Sequence, residues 1–128
     1  MKLRIRGDSL RVRVTQDELA ALGRGEAVVD AIHFGTDLAA ALRCEVQVSP
    51  AAQVLDATLD DRTIRVAVPA SAIERLVSTD EVGVSGQRPL GDGRILAVLL
   101  EKDFRCLVPR PGEEATGTFD RPGDAPSC

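Results

Sequence analysis

Polar and apolar residues alternate strictly along Lys2-Leu3-Arg4-Ile5-Arg6 and again along Leu10-Arg11-Val12-Arg13-Val14. A period of two puts one face of a strand on a core and the other in solvent or a polar cavity. Gly7-Asp8-Ser9 between the two runs is turn chemistry, with Gly7 free to take positive φ. Residues 1–14 therefore read as a β-hairpin whose five basic side chains share the non-core face.

The period then changes. Thr15 and Glu18 form a capping-box pattern, Val14 and Leu19 stand at the positions of a hydrophobic staple, and Leu19 with Leu22 supplies a buried stripe up to Gly23. This predicts a two-turn helix. Two strands follow over 26–33 and 38–48, joined across Phe34-Gly35-Thr36-Asp37; Leu38–Leu42 is alanine-rich and reads equally well as helix. Cys44, Val46 and Val48 alternate inward, and Pro50 ends that strand. Gln53–Leu59 and Thr63–Val68 form a second hairpin around Asp60-Asp61-Arg62. Pro69 suits a helix first turn, Ser71 and Glu74 offer another capping box, and Ile73, Leu76 and Val77 give an apolar face, which predicts a helix over 70–78.

Two last strands flank Gly91-Asp92-Gly93. The second, Ile95–Leu100, is apolar on both faces, as in a strand covered above and below. From Pro109 the chain is rich in Pro and Gly, and an extended tail is expected, either draped over the body or mobile. The reading is one strand-rich domain over 1–108 with a tail over 109–128. Its order is ββα-ββ-ββ-α-ββ, an α+β fold with an antiparallel sheet or small open barrel and two short helices.

Composition narrows the function. Three Phe are the only aromatics, so the core is aliphatic, and the stacking platforms of single-strand nucleic-acid binders are missing. The net charge is −4, yet residues 1–14 carry Lys2, Arg4, Arg6, Arg11 and Arg13 against Asp8 alone. A basic patch on an acidic body steers partners or anionic ligands, or else neutralises acids within the fold. Backbone recognition of nucleic acid is not expected from so acidic a body. Cys44, Cys106 and Cys128 have no CxxC spacing and His33 is the sole histidine, so no metal and no cofactor is expected. Neither a signal peptide nor a membrane-spanning run is visible, and a cytoplasmic setting is expected.

Two blocks, Met1-Lys2-Leu3-Arg4-Ile5-Arg6-Gly7-Asp8-Ser9-Leu10-Arg11-Val12-Arg13-Val14-Thr15-Gln16-Asp17-Glu18-Leu19 and Leu100-Glu101-Lys102-Asp103-Phe104-Arg105-Cys106-Leu107, resemble the two signatures of a family of small uncharacterised bacterial proteins. The resemblance implies a shared fold and no particular activity.

The second block is the most site-like stretch. On a strand, Glu101, Asp103 and Arg105 would share one face, with Lys102, Phe104 and Cys106 on the other; the alternative is an ion-pair cluster in which Glu101 and Asp103 neutralise hairpin arginines. No nucleophile elbow or phosphate loop is present; His33 reads as a half-exposed strand residue, and Gly83, Gly86, Gly91 and Gly93 read as turn residues. No catalytic residue is expected. The leading expectation is a non-catalytic interaction module that engages a protein partner or a second copy through Arg4, Arg6, Arg11 and Arg13 with Glu101, Asp103 and Arg105. The alternative is a small enzyme or binding protein whose hairpin arginines hold a phosphorylated or carboxylate ligand.

Overall fold

A computed structural model describes residues 1–104 and 117–120. Eight strands and two helices follow in the order β1 (Lys2–Arg6), β2 (Ser9–Val14), α1 (Gln16–Gly23), β3 (Val28–His33), β4 (Ala41–Ser49), β5 (Asp56–Asp60), β6 (Thr63–Pro69), α2 (Ala70–Ser78), β7 (Gly83–Pro89) and β8 (Ile95–Lys102). The α+β expectation holds, and the strands divide between two four-stranded sheets, β1-β2-β8-β7 and β3-β4-β6-β5, with no closed barrel. Each short-turn pair is antiparallel as expected. The central pairs, β2 with β8 and β4 with β6, are parallel, so both sheets are mixed. Hairpin reasoning reaches only sequence neighbours, and these central strands are joined by long crossovers.

The Thr15 capping box forms: its hydroxyl accepts the Glu18 N–H at 3.3 Å and Glu18 Oε1 accepts the Thr15 N–H at 2.9 Å. The Ser71 box does not. Helix α2 starts directly from β6 with Pro69 at the cap and no side-chain cap bond. It is held instead by burial of Ala72, Ile73 and Leu76. Residues Leu38–Ala40, open between strand and helix in the sequence, form a turn of 3-10 helix capped by Asp37. The glycines of β7 are not turn residues: Gly86 lies where a methyl group would overlap the Leu55 carbonyl oxygen, so it marks a close approach of two backbones.

The two halves of the chain repeat one another. Leu10 lies opposite Val98 in the first sheet and Ile64 opposite Cys44 in the second. The steps Leu10 to Ile64 and Cys44 to Val98 are both 54 residues (64 − 10 and 98 − 44). The same step carries β1 onto β5, β2 onto β6, α1 onto α2 and β4 onto β8. Ser9-Leu10-Arg11-Val12-Arg13-Val14 thus corresponds to Thr63-Ile64-Arg65-Val66-Ala67-Val68. Strands β3 and β7 correspond by 56 residues (84 − 28), since Val28 faces Val46 as Val84 faces Leu100. The difference of two is absorbed in the longer β3–β4 link. The structure is a pair of ββαββ units around a pseudo-twofold axis, with each sheet built from a hairpin of either unit. The helices touch at that axis, where Gly23 abuts its own counterpart, Val77.

Buried side chains follow the same symmetry. Val12 with Val66, Val14 with Val68, Leu19 with Ile73, Leu22 with Leu76 and Val46 with Leu100 pair off in a single core. Strand β8 is central, but only one face is fully covered: Val98 and Leu100 point inward, whereas Leu99 lies half-buried on the outer face beside Arg11. Ile95–Leu100 is therefore not uniformly buried, and its core positions are Val98 and Leu100.

Candidate functional site

All five hairpin cations occupy the outer face of the first sheet. The register sets Lys2 opposite Arg13 and Arg4 opposite Arg11. Like charges directly opposite one another destabilise a strand pair, and nothing in the core requires them there. Glu101 near the end of β8 and Asp103 just beyond it offset part of the cost. Glu101 Oε1 accepts Arg13 Nε at 2.8 Å and lies 3.6 Å from Arg11 Nε, while Asp103 Oδ2 lies 3.1 Å from Lys2 Nζ. Glu101 and Asp103 do therefore meet the hairpin, as an ion-pair cluster. Arg4 and Arg6 have no acidic partner among the described residues. Arg105 and Cys106 lie outside the described residues.

Lys102 turns the other way from Glu101. Its side chain is buried, with Nζ donating to the Thr79 carbonyl at 3.0 Å and lying 5.3 Å from the centroid of Phe119. Phe119 also faces Phe104, with centroids 6.0 Å apart, and donates its N–H to the Asp103 carbonyl at 2.8 Å. These bonds account for Lys102 and Phe104 structurally. The described part of the tail, residues 117–120, lies against the body; the rest of 109–128 is outside the described residues.

Strand β1 is exposed along its whole length and ends the first sheet. Its Leu3 and Ile5 face the same side as core residues Val12 and Leu10, yet they remain 37% and 65% exposed. The reason is the gap between β1 and β3, the edge strand of the second sheet. Met1, Leu3, Asp30, Ile32, Leu42 and Cys44 line a groove of about 260 Å³ in this gap. Leu42 also belongs to a second groove with Phe34 and Leu59. An apolar belt thus runs from β1 over the β3–β4 end to the β5–β6 turn, with Ile32, Phe34 and Leu59 more than half exposed. Sequence reading missed this belt. The available signal was Phe34 and Leu38 in a loop, together with a hairpin whose apolar face had only half a partner.

Cys44 is buried at the floor of the groove, as its inward alternation predicted. Burial, with a smaller contribution from the Asp30 carboxylate, pushes its thiol up to about 11. It is an inert neutral thiol at physiological pH. His33 ends β3 exposed. No group of three or more His, Cys, Asp or Glu is placed to hold a metal ion among the described residues. Among them, too, no helix is long and apolar enough to cross a membrane.

Fold and surface together define a small α+β protein with a duplicated ββαββ core, one charged sheet face and one open apolar seam. The chain belongs to DUF7009, a family of unknown function whose model matches residues 1–123. No curated protein and no solved structure matches it.

Proposed function

We propose that the protein is a non-catalytic interaction module that engages a protein partner along β1 and the seam beside it. The observation that carries this reading is the seam itself. Inward-facing Leu3, Ile5 and Ile32 stay exposed at an edge where the fold has left its two sheets apart. Exposed apolar surface rimmed by polar residues marks interaction sites. Beside it stand Arg4 and Arg6, without acids among the described residues, on a strand that already tolerates like-charge pairing. Local rules broken without structural gain cluster where function needs them.

The anionic-ligand reading has less support. Arg11 and Arg13 converge on Glu101 rather than on open space, and none of the hairpin arginines lines the grooves described above.

A photo-activated cross-linker in place of Ile5, compared with one in place of Gln87 on β7, tests the proposal in cells that naturally contain the protein. The expected result is a discrete protein adduct from position 5 that is absent from position 87. Adducts from neither position, or equal labelling from both, would overturn it.

A further inference from the structure

We infer that the partner presents an extended segment, acidic and apolar at alternate positions, which adds to the free edge of β1 as a fifth strand of the first sheet. The inference rests on the interaction reading above and specifies the chemistry of the occupant. Strand β1 is the last strand of its sheet, with no strand beyond it among the described residues. Its outer row of N–H and C=O groups is a template for another strand. Edge strands are commonly guarded by charge, and Lys2, Arg4 and Arg6 supply such a guard against a second copy. An antiparallel β1–β1 contact would set Arg4 against Arg4 and Lys2 against Arg6, with like charges directly opposed.

The same three cations select an acidic guest. A strand beside β1 projects alternate side chains to the two faces of the sheet. On the outer face its residues meet Arg4 and Arg6, which lack described acidic partners; on the inner face they meet Leu3, Ile5 and the groove lined by Ile32, Leu42 and Cys44. Acid at every second position and a Leu, Val or Ile between satisfies both faces at once. The groove's 260 Å³ accommodates aliphatic side chains from such a guest, and the guest's backbone would lie where β1 and β3 diverge.

The symmetry-related edge makes the contrast. At β5 the positions of Lys2, Arg4 and Arg6 are held by Asp56, Thr58 and Asp60. Asp56 is already engaged by Arg88 of β7 at 3.0 Å, and Arg88 Nη2 donates to the Ala57 carbonyl at 2.9 Å. The β5 edge is thus engaged from within the chain at Asp56 and Ala57, whereas β1 has no such contact from β3 among the described residues.

The test uses the full chain and short synthetic peptides, read by fluorescence anisotropy. A peptide alternating Asp with Leu and Val should bind, and a scrambled peptide of equal composition should not. N-methylation of alternate residues along one peptide edge should abolish binding while methylation along the other edge is tolerated, a signature of strand pairing. Arg4→Glu with Arg6→Glu, both surface changes, should weaken binding by about tenfold or more and transfer preference to a peptide with Lys in place of Asp. If the alternating peptide does not bind while the position-5 adduct persists, strand addition is overturned and the interaction surface stands. Equal sensitivity to methylation on both edges, or a concentration-dependent dimer of the wild-type chain that the double variant dissolves, would also overturn it.

Discussion

The two seams of this molecule occupy equivalent places and are finished in opposite ways. At the β5–β7 seam, glycine at position 86 lets the Leu55 backbone approach, Leu55 is buried in the core, and Arg88 ties the strands together. At the β1–β3 seam the counterparts of Leu55, Gly86 and Arg88 are Met1, Asp30 and Ile32. Asp30 carries a side chain where backbone contact would be needed, and Ile32 has no donor with which to bridge. The seam stays open as a groove. A duplicated fold does not require equal halves: one side closes over the core, and the other stays open as a groove.

The largest test of this difference is at the close approach. Gly86→Val puts a branched side chain into the Leu55 carbonyl, with no flexible atom to give way. Overpacking against backbone should cost about 3 kcal/mol or more, enough to unfold much of a marginal domain. Asp30→Val at the equivalent position meets an open groove and should stay within about 1 kcal/mol of the wild type. Urea melts of the two variants read the contrast directly. Equal midpoints would show that the seams do not differ in packing.

A second test is chemical. Cys44 lies on the floor of the open seam, where its counterpart Val98 is an ordinary core residue. Its thiol is pushed from about 9 to about 11, chiefly by burial. The native state therefore holds the proton more tightly than the unfolded chain does. The contribution is fully present below about pH 9 and is lost as pH rises towards 11. That gap corresponds to about 2–3 kcal/mol of stability lost over this window. Cys44→Val should flatten this part of the pH–stability curve measured by denaturant titration. An unchanged slope would mean that Cys44 is solvated in the native protein.

Much of this fold was legible in the sequence, and the part that was not has a physical cause. Alternation placed the hairpins, the inward Cys44 and the outward cations, because one side of each strand faces a core. The Thr15 cap was legible because its chemistry is local. The parallel central pairs were not, since strand partners far apart in sequence leave no mark on local periodicity. The repeat is visible in Leu10-Arg11-Val12 against Ile64-Arg65-Val66, and it relates the two sheets. Glu101 and Asp103 are legible in the sequence as acids able to meet the hairpin cations. The apolar belt was missed because Leu3 and Ile5 follow a pattern that normally means burial, and only the tertiary arrangement leaves them uncovered.

The smallest effect sharpens the comparison most, because it exchanges the features of the two seams. Arg88→Ala removes a charge-assisted bond to the Ala57 carbonyl and an ion pair with Asp56 in which both side chains are more than one-third exposed. Solvent screening leaves the ion pair little weight, so the backbone bond dominates and the cost should be about 1 kcal/mol. Ile32→Arg places the same donor at the open seam. If Arg88 closes its seam by bridging, the transplanted guanidinium should reach the Leu3 carbonyl, the counterpart of Ala57 O. Hydrogen exchange at residues 2–6 should then slow by a few-fold, with global stability nearly unchanged. Exchange faster than in the wild type would show that the seam is held apart by more than the loss of one donor, with Asp30 as the next residue to replace.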